Sequence, residues 1–176
     1  MSISYVVFGA YGGVGSALSR RLANKGANLL LAGRDEARLA SLAGELGAQT
    51  FPLDATNLRQ VESCIKQAAE VYGQVNGVAN CVGSLFLKPA HLLSEEEWDA
   101  TITTNLKSAF AVVRAATAAM AQQGGSIVLL STAAARIGLA NHEAISAAKA
   151  GIEGLAPAAA ASYASKGIRP TVWPRG

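Results

Sequence analysis

The sequence predicts one α/β domain, a doubly wound parallel sheet between two helical layers. Three observations predict it. Short apolar runs alternate with segments of helical spacing along nearly the whole chain, and strict β-α alternation folds as a parallel sheet with right-handed crossovers. The runs at 5–8 and 28–32 are continuously apolar, as strands covered on both faces must be. Small and polar residues gather just after successive runs, at 9–15, Gly33-Arg34, Asp54, 80–83 and Ser131-Thr132. Open α/β sheets bind ligands at these carboxyl ends.

Each element follows from local signals. The first strand, 5–8, runs into a glycine-rich turn. Leu18 and Leu22 then mark a helix over about 14–25 that Gly26 stops. Strand two covers 28–32. A helix over 35–46 carries Leu39, Leu42 and Leu46 at helical spacing and ends at Gly47. Residues 49–53 form a short third strand. Thr56 or Asn57 caps the next helix, which runs to about Tyr72 before Gly73. The fourth strand spans 75–80, and a loop occupies 83–93.

Ser94-Glu95-Glu96-Glu97 is a capping box opening one long helix to about Gln122. Gly124-Gly125 ends it before a fifth strand at 126–130. An alanine-rich helix starts near 142 and contains Pro157, which costs about 3 kcal/mol unless the helix kinks there. Pro170 and Pro174 remove ladder donors, so the stretch from Ile168 suits only an edge or a tail. The implied strand order is 3-2-1-4-5, with a sixth strand left open. The chain therefore reads as a single Rossmann-type three-layer α/β/α domain over 1–176.

Composition narrows the functional classes. With 51% hydrophobic and 15% charged residues, the chain can build a substantial core. The net charge of +3 is scattered, without a stripe or run, which argues against a nucleic-acid surface. Cys64 and Cys81 sit in apolar contexts without ligand-like spacing, so they read as buried free thiols in a reducing compartment, and no metal site is expected. Arg114, Lys149 and Glu153 interrupt the best candidates for the run of about 18 apolar residues that a membrane span needs. Met1-Ser2-Ile3-Ser4 lacks the basic start of a signal peptide. The expectation is a soluble cytoplasmic protein whose partner is a small molecule.

The glycine turn carries the first functional signal. Gly9 is followed by Gly13 and Gly15, which does not meet the usual G-x-G-x-x-G dinucleotide spacing. Glycine lets a ligand approach the backbone, and a helix opening there offers free N–H groups and a positive dipole end to phosphate. The stretch resembles the turn of the short-chain dehydrogenase/reductase family, whose members bind NAD(H) or NADP(H). Read as Gly9-x-x-Gly12-x-x-Gly15, it fits that family's extended branch equally well. A structural turn that binds nothing is the plainer alternative. The resemblance implies cofactor contacts from Gly9, Tyr11, Gly13, Val14 and Gly15.

Arg34 follows the second strand, where an acid would bind a ribose 2′-hydroxyl and an arginine favours a 2′-phosphate. Gly33 leaves the acid's place empty, so NADP is expected over NAD. A solvated Arg34 paired with Asp35 or Glu36 is the bland reading. By resemblance Asp54 contacts the adenine, although a helix cap is its simpler role. Asn80-Cys81-Val82-Gly83 is similar to the family's Asn-Asn-Ala-Gly element, keeping Asn80 and Gly83. Asn105 stands where the family has an asparagine that bends its long helix and supports a proton-relay water. Asparagine disfavours a helix interior, which invites a functional reading.

The family's catalytic set is serine, tyrosine and lysine. The tyrosine is general acid/base, the lysine binds the nicotinamide ribose and lowers the tyrosine's pKa, and the serine holds the substrate oxygen. Lys149 fits the lysine and also the cofactor contact, and Thr132 holds the serine's place. Four residues before Lys149, however, stands Ile145 instead of tyrosine. Losing a positioned general acid costs about 10²- to 10⁴-fold. Tyr163-Ala164-Ser165-Lys166 imitates the motif at the wrong spacing and lies roughly 20 Å along the helix. His142 is the better substitute, because 142, 145, 146 and 149 share a helix face and histidine exchanges protons near neutral pH. His142 and Glu143 equally serve simply to open the helix.

The resemblance covers nearly all of 3–169, about the first two-thirds of a family chain. It implies an NADP-dependent oxidoreductase acting on an alcohol or carbonyl. It also implies a homo-oligomer, dimer or tetramer, paired through the long fourth and fifth crossover helices. Phe110, Val113 and Thr117 on one, with 158–161 on the other, are expected to supply that surface. Ile145 equally fits a nucleotide-binding scaffold without chemistry, or an altered chain with no function of its own.

Overall fold

The computed structural model describes residues 3–175. Six strands, β1 Ser4–Phe8, β2 Asn28–Gly33, β3 Gln49–Pro52, β4 Gly77–Asn80, β5 Gly125–Thr132 and β6 Ile168–Arg175, form one sheet. All pairings are parallel and the order is β3-β2-β1-β4-β5-β6. Alternate residues of a strand face opposite sides of the sheet. Val7, Leu29 and Leu31 therefore pack with Leu39 and Leu42 beneath α1 Gly13–Ala23 and α2 Glu36–Leu46. Val6, Phe8, Leu30 and Ala32 face the other way, toward α3 Leu58–Tyr72, α5 Ser108–Ala119 and α6 Glu143–Tyr163. This gives the expected three layers, with the larger core on the second face.

The ends of the helices follow their local chemistry. Asn57 caps α3 by accepting from the Arg59 and Gln60 amides. Ser94 and Glu97 form the capping box of α4 Glu95–Ile102. Cys64 is buried and Cys81 half-buried, both free. No helix among the described residues is long and apolar enough to cross a membrane.

Several boundaries differ from expectation. The long fourth crossover helix is not continuous to Gln122. It runs as α4, a π-helical turn at Thr103–Lys107, and α5, which ends at Ala119. β4 starts at Gly77 rather than 75, although the Asn76 backbone already bonds to Ser4 and Ser126 and its side-chain oxygen accepts from the Ser4 amide, 2.9 Å away. The stretch from Ile168 is a full edge strand rather than a tail, paired with β5 from Gly125 opposite Ile168 to Thr132 opposite Arg175. α6 continues through exposed Pro157, which deprives the Glu153 carbonyl of its helix donor. Val113 and Thr117 are buried inside the chain and offer no surface; Phe110 is 46% exposed.

Candidate functional site

The site is built at the carboxyl ends of the strands, starting with the turn between β1 and α1. Gly9 has φ +69, and a Cβ there would stand 2.9 Å from the Cys81 carbonyl carbon and the Val82 amide nitrogen. A Cβ on Gly15 would stand 2.2 Å from the Gly9 carbonyl oxygen. These two glycines therefore serve packing, one bringing the ends of β1 and β4 together, the other seating α1 on the turn. Gly13 differs: it is exposed, with nothing within 4 Å of a Cβ. Gly13, half-buried Val14 and Gly15 form the first turn of α1, whose free amides suit an anionic group.

At the end of β2, Tyr11 lies against Gly33, where a Cβ would meet its ring at 2.6 Å. The Tyr11 hydroxyl accepts from the Arg34 and Asp35 amides at 3.3 Å each. The Arg38 guanidinium lies 4.6 Å from the ring centroid and donates to the Tyr11 carbonyl at 3.2 Å. Asp35 is occupied as the cap of α2, and Arg34 is exposed with no ion pair among the described residues. Asp54 follows β3. The Thr56 amide, with smaller help from the charges of Arg34 and Lys107, holds its carboxyl below the usual range. Asp54 is not the cap of α3; that is Asn57.

Asn80 is buried at the end of β4, accepting from the Val82 amide and donating to the Ser108 hydroxyl. Asn105 is fully buried in the π-helical turn. Its side-chain amide donates to the Thr101 carbonyl at 3.0 Å, as the backbone amide of an α-helix would, and to Ser84. Its carbonyl oxygen accepts from the Ser84 amide at 3.2 Å. A side chain that takes over a helix carbonyl in this way relaxes the ladder locally. Here it also ties the loop after β4 to the helix. A Cβ on Gly83 would stand 3.0 Å from the Asn105 side-chain oxygen and 3.5 Å from the Lys149 ammonium. Gly83, Asn105 and Lys149 thus meet.

β5 and α6 complete the site. Lys149 is buried and donates to the Leu130 carbonyl at 3.0 Å. Burial pushes its pKa down to about 8. Thr132 accepts weakly from the Ala134 amide, leaving its hydroxyl proton to donate. Ile145 is 3% exposed, one helical turn before Lys149. His142 precedes the helix rather than belonging to it, and its Nδ1 lies 2.7 Å from the Ala140 carbonyl. Its position is therefore set by the loop, not by helical spacing. Tyr163 packs against the core at the far end of α6.

Two groups escaped sequence reasoning. Glu153 lies four residues after Lys149, a spacing that suggests an ion pair. Instead it accepts from the Ser131 hydroxyl at 2.9 Å and from Arg136 at 2.8 Å, and those contacts hold its carboxyl below the usual range. Lys149 is left with no carboxylate partner among the described residues. The stack of Arg38 on Tyr11 had no sequence signal, since it joins residues far apart in the chain.

The Lys149 environment has a measurable consequence. The unfolded chain holds the lysine proton to about pH 10.5 and the folded chain only to about pH 8. Between these values the unfolded state binds more protons, so this group makes stability rise with pH; below about 8 its cost is fully present. Lys149→Met is expected to be more stable at neutral pH, by up to about 3 kcal/mol, and to lack the rise. Urea titrations of both proteins from pH 7 to 10.5 test this through their difference, in which the other groups cancel. Parallel pH curves would contradict it.

The chain was compared with known proteins. A family model described as enoyl-(acyl carrier protein) reductase matches residues 9–171. D-threitol dehydrogenase of Mycolicibacterium smegmatis is 33% identical over 170 residues, covering 93% of this chain and 65% of that protein. The 3beta-hydroxysteroid dehydrogenase of Mediterraneibacter gnavus is 32% identical, over 93% of this chain and 61% of its own length. The chain thus spans less than two-thirds of either relative. A short-chain type dehydrogenase/reductase from Mycobacterium ulcerans superposes with a TM-score of 0.93 over 98% of this chain and 67% of that one. At 24% identity that likeness speaks to the fold alone.

Proposed function

The chain belongs to the short-chain dehydrogenase/reductase family, and from that premise we propose that it binds NADP(H) in preference to NAD(H) and acts as an oxidoreductase on a small alcohol or carbonyl. The observation that carries the reading is the meeting of Gly83, Asn105 and Lys149, at the same carboxyl ends of the strands as the glycine turn. The first turn of α1 suits the pyrophosphate, Asp54 the adenine, and Lys149 with Asn80 and Gly83 the nicotinamide-side ribose. The cofactor, when bound, supplies or accepts a hydride. Thr132 donates its hydroxyl to the substrate oxygen, and the Lys149 cation stabilises charge developing there. Asn105 positions the loop that carries Gly83. His142 supplies the proton, poorly.

The names of the two relatives span a sugar alcohol and a steroid, which supports an alcohol or carbonyl substrate and nothing narrower. Leu85, Phe86, Leu87, Ile137 and Leu139, all exposed on the loops after β4 and β5, would give it an apolar approach. Phe110 on α5 supports a homo-oligomer, and the free cysteines support a cytoplasmic location.

Ile145 favours a second reading, a nucleotide-binding protein without chemistry. Cofactor titration tests what both readings share. NADPH is expected to bind more tightly than NADH in the unmodified chain, and Arg34→Ala to erase most of that preference, since a charged hydrogen bond contributes roughly tenfold or more in affinity. Equal affinities in the unmodified chain, measured by calorimetry, would sink the NADP assignment.

A further inference from the structure

The crevice at the end of β2 is plugged by the side chain of Tyr11. Its ring covers Gly33, its hydroxyl accepts from the Arg34 and Asp35 amides at 3.3 Å each, and Arg38 stacks on it. Tyr11 also borders an open groove of about 400 Å³ between α1 and α2, lined by Ser16, Arg20, Arg38, Ser41 and Glu45 among others. We propose that Tyr11 is a displaceable plug that sets the balance between a ribose 2′-hydroxyl and a 2′-phosphate, with Arg38 as a second phosphate ligand beside Arg34. The inference rests on the cofactor reading above and deepens it.

The two ligands differ in what they need. A 2′-hydroxyl is neutral and needs one polar partner, usually an acid, which Gly33 does not supply. The Tyr11 oxygen uses its lone pairs on the two amides, so its own proton remains to donate to a 2′-hydroxyl with the plug in place. A 2′-phosphate needs several donors and positive charge. The nearest donors are the Arg34 and Asp35 amides, and Tyr11 occupies both. Their 3.3 Å bonds to a neutral oxygen are long, and bonds to a charged oxygen are shorter and roughly twice as strong. A phosphate can therefore displace the phenol, which the adjoining open groove leaves room to receive. When the ring leaves, Arg38 loses its stacking partner and keeps only its 3.2 Å bond to the Tyr11 backbone carbonyl, about which its guanidinium can turn toward the same anion. Arg20 is not available in this way, because Glu45 holds it at 2.7 Å.

The plug thus narrows the preference for the phosphorylated nucleotide without reversing it. Two probes isolate the adenosine half: 5′-AMP, with a 2′-hydroxyl, and 2′,5′-ADP, with a 2′-phosphate. Both are titrated by calorimetry into the full chain and into Tyr11→Phe and Tyr11→Ser. Loss of the phenol oxygen should weaken 5′-AMP and free the amides for 2′,5′-ADP. The ratio of the two dissociation constants should shift by about tenfold toward the phosphate, the value of one or two neutral hydrogen bonds. Adding Arg38→Gln to Tyr11→Ser should remove most of the gain. In the unmodified chain, the amide resonances of Arg34 and Asp35 should move with 2′,5′-ADP far more than with 5′-AMP. An unchanged ratio in both Tyr11 variants would overturn the plug while leaving the cofactor reading intact. Failure of either nucleotide to bind any of these proteins would remove both.

Discussion

Replacing Ile145 by tyrosine is expected to raise turnover of simple ketones and alcohols by about 10²- to 10⁴-fold, the usual worth of a positioned general acid. The site holds the other parts: Thr132 with a proton to donate, and Lys149, cationic near neutral pH, bonded to the Leu130 carbonyl and without a carboxylate partner among the described residues. What it lacks is a group that delivers a proton as charge develops on the oxygen. Position 145 lies one turn from Lys149, whose ammonium would stabilise a phenolate, and its side chain is 3% exposed. A phenol is longer than isoleucine, and position 145 is buried, so the ring must find room among its neighbours. Overpacking of this kind costs about 1–3 kcal/mol, so the assay belongs well below the melting temperature. The unmodified chain should turn over weakly or undetectably, and any residual rate should fall in His142→Ala. Robust turnover that survives His142→Ala would show that the proton comes from another group. No gain in Ile145→Tyr, with cofactor binding intact, would favour the scaffold reading.

Gly15→Ala should be the most damaging single methyl in the molecule. Its Cβ would stand 2.2 Å from the Gly9 carbonyl oxygen and 2.9 Å from the Ala10 Cα, both backbone atoms that cannot swing away. Relief requires α1 to slide off the turn, at the upper end of overpacking costs, about 3 kcal/mol or more. That movement also misaligns the amides meant for the pyrophosphate. Gly13→Ala, two residues earlier, meets nothing within 4 Å. It should leave stability nearly unchanged while crowding the ligand. Urea midpoints and NADPH titrations of the two variants separate the cases. Equal stability losses would show that the turn is not packed as described.

The contrast shows what the sequence could and could not reveal. The glycine turn, a cap at Thr56 or Asn57 and the capping box at Ser94 were legible because their chemistry is contained within a few residues. Alternation made the parallel sheet and its right-handed crossovers legible; the order 3-2-1-4-5 was the expectation for a Rossmann-type domain, because alternation alone also allows other doubly wound orders. The π-helical turn was only half legible. Asn105 signalled a disturbed helix, but the disturbance depends on Ser84, 21 residues away. Tyr11 was legible as a member of the turn, and its side chain was not, because its partners lie on β2 and α2. Val113 and Thr117 looked like surface by composition. Their burial depends on α3 packing across α5, and no periodicity within α5 alone reveals which of its faces is covered.

The prolines of β6 bear on something other than binding. In a parallel pair, the residues of one parity direct both backbone groups to the neighbour, and the others direct theirs away. The ladder to β5 continues past Pro170 and Pro174 without a break, so both must belong to the outward set, where their missing N–H groups cost the sheet nothing. The open margin of the sheet therefore lacks two of the donors that an incoming strand would seek. An exposed edge of this length is a template for aggregation. Along β6 that row of outward donors is interrupted by two rings set four residues apart.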